Sequence, residues 1–92
     1  MFYVVTFDIS DDRTRYRVAK VLKGYGYRVQ KSVFECPWLT EEKLDKLQRK
    51  LESLIDFSTD SVRYYAQCGA CIRKIRISGL GVEPRDEEFG LA

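Results

Sequence analysis

The chain has no histidine among its 92 residues, and it contains only two prolines and three cysteines. Without histidine it lacks the side chain that most often acts as a general base near neutral pH, and also the commonest ligand of transition metals. Three cysteines are too few, and an odd number, for a small disulfide scaffold, so we expect a protein of the reducing cytoplasm. Carboxylates and thiolates are left to perform any catalysis.

Long apolar runs are also missing. No run approaches the roughly 18 residues that a membrane span needs, and residues 1–5 lack the basic leader of a secretory signal peptide. Hydrophobic residues still make up 45% of the chain and charged residues 33%, which excludes a disordered or low-complexity protein. The sequence predicts one small domain without a membrane partner.

Basic and acidic residues are unevenly distributed, although the net charge is only +2. Residues 1–40 hold seven basic groups against four acidic ones, and residues 61–76 hold four basic groups and no acidic one. Four acidic residues follow from Glu83 onward. We therefore divide the chain into a domain at residues 1–79 and an acidic C-terminal tail at residues 80–92.

Hydrophobic patterning predicts two helices and an alternating set of strands. Residues 2–7 are β-branched and aromatic, which is typical of a strand buried on both faces at the centre of a sheet. In each predicted helix the apolar residues recur at the spacing of an amphipathic helix. The predicted strands are 2–7, 27–36 (broken near residues 31–32), 62–67 and 72–78, and the predicted helices are about 12–24 and 41–56.

This order matches the split βαβ, or ferredoxin-like, α+β fold, in which an antiparallel sheet has both helices on one face. The strand at 72–78 exceeds that unit. We expect it to be exchanged in a homodimer, adding to the sheet of the second subunit, because small size and spare sheet edges favour symmetric pairing.

Asp8 directly follows the predicted central strand, where a carboxylate is costly to bury without a partner. One interpretation is structural, with Asp8 capping the next helix or pairing with Arg15 or Arg17. The other is a metal site, because a twofold axis would supply a second Asp8. Two carboxylates with waters and phosphate oxygens suit octahedral magnesium.

Arg13, Arg15 and Arg17 alternate over the first turn of the predicted first helix, preceded by the capping residue types Ser10 and Asp11. The arginines form either an ordinary solvated helix face or a set of phosphate contacts, which guanidinium groups match in geometry.

Cys68 and Cys71 form a C-x-x-C motif at a predicted turn between two strands. A redox motif of this spacing normally opens a helix after a strand, so the predicted context disfavours it. A zinc site would need Cys36 or a second chain to complete its ligands. A structural or incidental role is the simplest interpretation.

Two segments resemble a known family closely. Residues 3–12 read Tyr-Val-Val-Thr-Phe-Asp-Ile-Ser-Asp-Asp, and residues 28–35 read Arg-Val-Gln-Lys-Ser-Val-Phe-Glu. Both resemble the small CRISPR-associated adaptation protein, the second core protein of CRISPR spacer acquisition, also called the CRISPR-associated endoribonuclease. The resemblance covers about residues 2–79 and leaves out the acidic tail.

The resemblance implies a homodimer that binds the CRISPR integrase and holds nucleic acid, either duplex DNA or single-stranded RNA. It also implies a metal-dependent endonuclease with magnesium as cofactor and Asp8 as the catalytic, metal-binding residue. A non-catalytic scaffold that bridges integrase subunits and a toxin-type ribonuclease of the related virulence-associated family are the alternatives.

The resemblance also assigns the remaining site residues. Position 7 is commonly tyrosine in the family and is phenylalanine here, so any role of that hydroxyl is absent. The implied nucleic-acid-binding residues are Arg15, Arg17 and Arg28, and the implied supporting residues are Phe7, Ser10 and Phe34.

Overall fold

The computed structural model describes residues 1–79, which form a four-stranded sheet and three helices. In chain order the elements are β1 (Phe2–Asp8), α1 (Asp12–Leu22), β2 (Tyr27–Gln30), β3 (Val33–Cys36), α2 (Glu41–Glu52), β4 (Ser61–Gln67) and α3 (Gly69–Ile72). The sheet has the order β2-β3-β1-β4, and all neighbours are antiparallel. This confirms the ferredoxin-like α+β fold. Across residues 1–79, no helix has both the length and the apolar character needed to cross a membrane.

β1 is the central strand, as its β-branched and aromatic residues predict. Val5 and Phe7 are buried in a core that also contains apolar residues of α1 and α2. Val4 and Thr6 point to the other face and are only partly buried. Phe2, on the same face as Val4 and Thr6, is fully buried. The prediction that both faces are buried is therefore correct at Phe2 and wrong for the rest of the strand, because α1 and α2 both pack on the opposite face of the sheet.

The helices α1 and α2 begin at side-chain caps and end before their predicted limits. Asp11 accepts a hydrogen bond from the Thr14 backbone N–H at 2.8 Å, and Thr40 accepts one from Lys43 at 3.2 Å. Such caps satisfy backbone N–H groups that have no partner inside the helix. The core stripes of the two helices consist of Val18, Ala19 and Leu22 in α1 and of Leu47 and Leu51 in α2.

The region after β4 differs from the prediction. Residues 68–71, predicted as a turn between strands, open the short helix α3, where the Ile72 N–H donates to the Cys68 carbonyl at 3.0 Å. No strand forms at 72–78 within the described chain, because Ile72 ends α3 and residues 73–78 have no ladder partner. The exchange of this segment in a homodimer stays a prediction, and the tail at 80–92 lies outside the described residues.

Gly26 lies where the chain passes from α1 into β2. A Cβ atom at this position would lie 2.8 Å from Cys36 Cα and would also overlap the Glu35 carbonyl oxygen, so neighbouring backbone occupies the space. We expect Gly26→Ala to lower the free energy of unfolding by about 3 kcal/mol, measured by urea denaturation. Gly24→Ala is the control, since its Cβ would meet only the Val21 carbonyl oxygen at 3.4 Å. Equal losses in the two variants would contradict this steric argument.

Candidate metal and nucleic-acid site

Asp8 ends β1 opposite Ser61 of β4. Side chains alternate across a strand, so Phe7 points into the core and Asp8 points away from it. The Asp8 side chain is exposed, and no hydrogen bond or ion pair within residues 1–79 engages its carboxylate. The expectation that Asp8 is buried and needs a compensating partner is therefore wrong. Within residues 1–79, Asp8 neither caps α1 nor pairs with an arginine.

The carboxylates that follow Asp8 are both engaged. Asp11 caps α1 through the Thr14 backbone N–H and also accepts from the Thr14 hydroxyl at 2.9 Å. These hydrogen bonds lower the pKa of Asp11, the backbone N–H having the largest effect. Asp12 forms an ion pair with Arg15. Of these three carboxylates, Asp8 at the end of β1 is thus the one that has no partner within residues 1–79 and can bind a ligand.

Asp60 positions the same loop from the other side. Its carboxylate accepts from the Ser10 backbone N–H at 3.3 Å and from the Asp56 backbone N–H at 2.9 Å. The hydrogen bond from Asp56, more than that from Ser10, lowers the pKa of Asp60. The predicted supporting residue Ser10 therefore acts through its backbone, which ties the loop after Asp8 to the segment before β4.

The donor set at Asp8 suits magnesium better than a metal that needs a complete protein cage. Within residues 1–79 there is no group of three or more His, Cys, Asp or Glu side chains that could hold a metal ion. Magnesium is commonly bound through one or two carboxylates together with waters and substrate phosphates. One exposed carboxylate per chain fits that mode of binding.

Arg15 is fixed beside the loop that follows Asp8. Its Nη1 donates to the Ile9 carbonyl oxygen at 2.9 Å, and its other terminal nitrogen pairs with Asp12. The side chain is 33% exposed, so the guanidinium is positioned and still accessible. Arg17 is exposed on α1 and makes neither contact.

Arg28 is placed by the two predicted supporting aromatic residues. Its guanidinium carbon lies 5.4 Å from the centroid of the Phe34 ring, within cation–π distance. Phe34 is fully buried, and its ring centroid lies 6.3 Å from that of Phe7. Phe34 thus contacts the exposed Arg28 directly, and Phe7 packs beside Phe34.

A cavity of about 430 Å³ brings Arg15 and Arg28 together between α1 and the β2–β3 turn. Three lysines join them, and Asp12 is the one acidic residue in the lining. We call this surface the basic cleft, defined by its cationic residues Arg15, Lys20, Lys23, Arg28 and Lys31. Arg17 is not part of it, so the structure joins two of the three predicted arginines.

Two comparisons with known proteins bear on this geometry. The family model of CRISPR associated protein Cas2 matches residues 1–75. The chain belongs to the Cas2 family. It is 43% identical over 89 residues to the CRISPR-associated endoribonuclease Cas2 1 of Chloroflexus aurantiacus, covering 96% of this chain and 95% of that protein. The family resemblance in the two sequence segments is confirmed.

Solved structures show the same Cas2 fold. The crystal structure of Streptococcus pyogenes Cas2 at pH 6.5 is similar, with a TM-score of 0.77 and 33% identity over 86% of this chain and 100% of that chain. A chain of a partial Cas6-RT-Cas1–Cas2 complex is similar at a TM-score of 0.72 and 27% identity, over 83% of this chain and 88% of that chain.

The sequence-based site residues of this Cas2-family chain did not include the three lysines of the basic cleft. Lys20 and Lys23 are three residues apart, the spacing that places side chains on one helix face. Lys31 lies in the turn between β2 and β3. The helical spacing was a usable signal for the first two, but the position of Lys31 depends on how the β2–β3 turn approaches α1.

Proposed function

We propose that this chain is a cytoplasmic CRISPR adaptation subunit. As a homodimer it binds nucleic acid together with the CRISPR integrase, and it cleaves phosphodiester bonds with magnesium bound at Asp8. The observation that carries the proposal is the free, exposed Asp8 carboxylate at the end of β1, in a chain of the Cas2 family. The relative named an endoribonuclease and the Cas1–Cas2 complex support the nuclease activity and the integrase partner respectively.

The residues of this chain supply binding and orientation. Asp8 would hold magnesium through a carboxylate oxygen. Arg15 and Arg28 bind substrate phosphates, because their guanidinium groups are already fixed by Asp12 and by the Phe34 ring. When bound, magnesium supplies positive charge that stabilises the negative charge developing on the phosphate oxygens.

The face of the sheet opposite α1 and α2 supports the homodimer. Within residues 1–79 this face leaves Tyr65 44% exposed beside the partly buried Val4. The segment at 75–78 lines a groove with Tyr27 and Val29 of β2 without pairing to that strand. A second copy would cover the apolar face, pair with the free segment and bring a second Asp8 to the site.

Removing the free segment should prevent dimerisation. We expect a chain that ends at Lys74 to be monomeric, because it retains α3 with its buried Ile72 but loses the residues that would pair with the second subunit. Light scattering measures the mass, and circular dichroism checks the fold. A truncated chain that stays a stable dimer would show that the C-terminal segment is not exchanged.

A reconstituted integration assay tests the function as a whole. The full-length chain, the CRISPR integrase and duplex DNA are combined with a CRISPR array as the target. We expect integration of the duplex to require this chain, and the chain to co-elute with the integrase. Integration that proceeds equally without it would overturn the adaptation role.

A further inference from the structure

The Cys68–Cys71 pair lies at the end of β4 that is opposite to Asp8, so the proposed nuclease site does not use it. The two sulfur atoms are hydrogen-bonded at 3.3 Å, and both side chains are exposed. Residues at positions i and i+3 of a helical turn have Cα atoms about 5 Å apart. That separation falls within the range that disulfides span.

We propose that Cys68 and Cys71 form a reversible redox site, in which the two thiols and a small-molecule disulfide such as oxidised glutathione exchange to give an intramolecular disulfide. Cys68 directly precedes α3, a helix of four residues that follows β4, and Cys71 lies within it, so the motif does not join two strands.

The exchange has two steps. The Cys68 thiolate attacks one glutathione sulfur, forming a mixed disulfide and releasing one glutathione thiolate. Cys71 then loses its proton to solvent and its thiolate attacks the Cys68 sulfur, releasing the second glutathione thiolate. The two cysteines are oxidised, and one glutathione disulfide is reduced to two thiols.

The environment of the pair assigns the order of these steps. Hydrogen bonding with the Cys71 backbone N–H, and then with the Cys71 side chain, lowers the pKa of Cys68. The same contact with Cys68 raises the pKa of Cys71. At a given pH, Cys68 is therefore the thiol with the larger thiolate fraction, and the thiolate is the attacking species.

Cys36 provides an internal contrast. It is fully buried, and burial raises its pKa to about 11, with a smaller contribution from the charge of Glu35. It therefore stays protonated and shielded from exchange. Zinc is the competing ligand of an exposed pair, but within residues 1–79 no third His, Cys, Asp or Glu joins the two cysteines.

A disulfide would stabilise the turn through which the chain leaves the sheet. In α3 the Ile72 N–H donates to the Cys68 carbonyl, and the Arg73 N–H donates to Gly69 at 3.2 Å. Linking the two ends of this turn restricts its opening. We expect the amide hydrogens of Ile72 and Arg73 to exchange on the order of tenfold more slowly in the oxidised protein.

Oxidised glutathione is the probe, applied to the full-length chain and read by intact mass and non-reducing peptide mapping. We expect a link between Cys68 and Cys71 that dithiothreitol reverses, formed at least about 100-fold faster than any modification of Cys36. Cys71→Ser should instead accumulate a glutathione adduct on Cys68, and Cys36→Ser, the control, should behave as the unmodified chain.

Three results would overturn the proposal. They are stable glutathione adducts on both residues without an internal link, links only between separate chains, and a tightly bound zinc ion that blocks both thiols in the purified protein. The zinc content of the purified protein is measured by elemental mass spectrometry before the protein is treated with oxidised glutathione. If Cys71→Ser is poorly folded, the same mapping on Cys68→Ser decides the matter, because loss of Cys68 should slow adduct formation at Cys71.

Discussion

Asp8→Asn should reduce magnesium-dependent cleavage by at least about 100-fold while leaving the fold intact. Asparagine has nearly the same size, but it removes the negative charge that would hold a divalent cation. The other two carboxylates of the loop cannot replace it, because Asp11 caps α1 and Asp12 pairs with Arg15. Cleavage of single-stranded RNA and of duplex DNA is measured with magnesium and with excess chelator, and thermal unfolding checks the fold.

Asp45→Asn is the matched control for this variant. Asp45 is exposed on α2, so the substitution changes the net charge identically without touching the loop after β1. We expect cleavage by this control to equal that of the unmodified chain. Cleavage that persists in Asp8→Asn or in chelator would mean that the activity arises at a different site.

The same variant separates the nuclease from a scaffold. If Asp8→Asn loses cleavage and still supports integration in the reconstituted assay, the chain serves acquisition as a structural bridge. If both activities are lost together while the dimer persists, catalysis at Asp8 serves acquisition. The exposed position of Asp8 makes this comparison practicable, because no core contact changes with the substitution.

Local patterns in the sequence were enough to predict most of the fold. The β-branched run of β1 and the apolar stripes of α1 and α2 each define one element, and their order admits few sheet topologies. The segment after β4 could not be placed in this way. Its alternation of apolar and basic residues fits a strand, but a strand also needs a ladder partner, and residues 1–79 of the single chain provide none for residues 73–78.

The motifs predicted which residues form the site better than they predicted how those residues are arranged. Asp8, Arg15 and Arg28 were identified from two motifs, and the structure brings the two arginines into one cleft. Asp8 is exposed because side chains alternate along β1 and Phe7, its neighbour, points into the core. The unbroken apolar run at residues 2–7 does not reveal which side chains point into the core. Separation of Arg17 from Arg15 follows from helical geometry, because residues two apart on a helix do not share a face.

Charge reversal at Arg28 should weaken nucleic-acid binding about equally for all sequences. If a dimer neutralises about six phosphates, the log–log salt slope is near −5 for duplex DNA, and affinity falls roughly 10³-fold between 50 and 200 mM salt. Arg28→Glu removes one basic-cleft contact per subunit, so we expect affinity on the order of 10- to 100-fold lower and a slope shallower by about 2. Fluorescence anisotropy over a salt series with two unrelated duplexes measures both quantities.

Lys46→Glu is the control for Arg28→Glu, since it makes the same change of charge on the exposed face of α2, outside the basic cleft. It should leave the salt slope nearly unchanged. Arg17→Glu then tests Arg17, which the family resemblance implies as a nucleic-acid contact but which lies outside the basic cleft. Because Arg17 does not line the cleft, we expect its reversal to weaken binding less than that of Arg28. Equal effects of Arg28→Glu and Lys46→Glu would show that net charge, and not the basic cleft, governs binding.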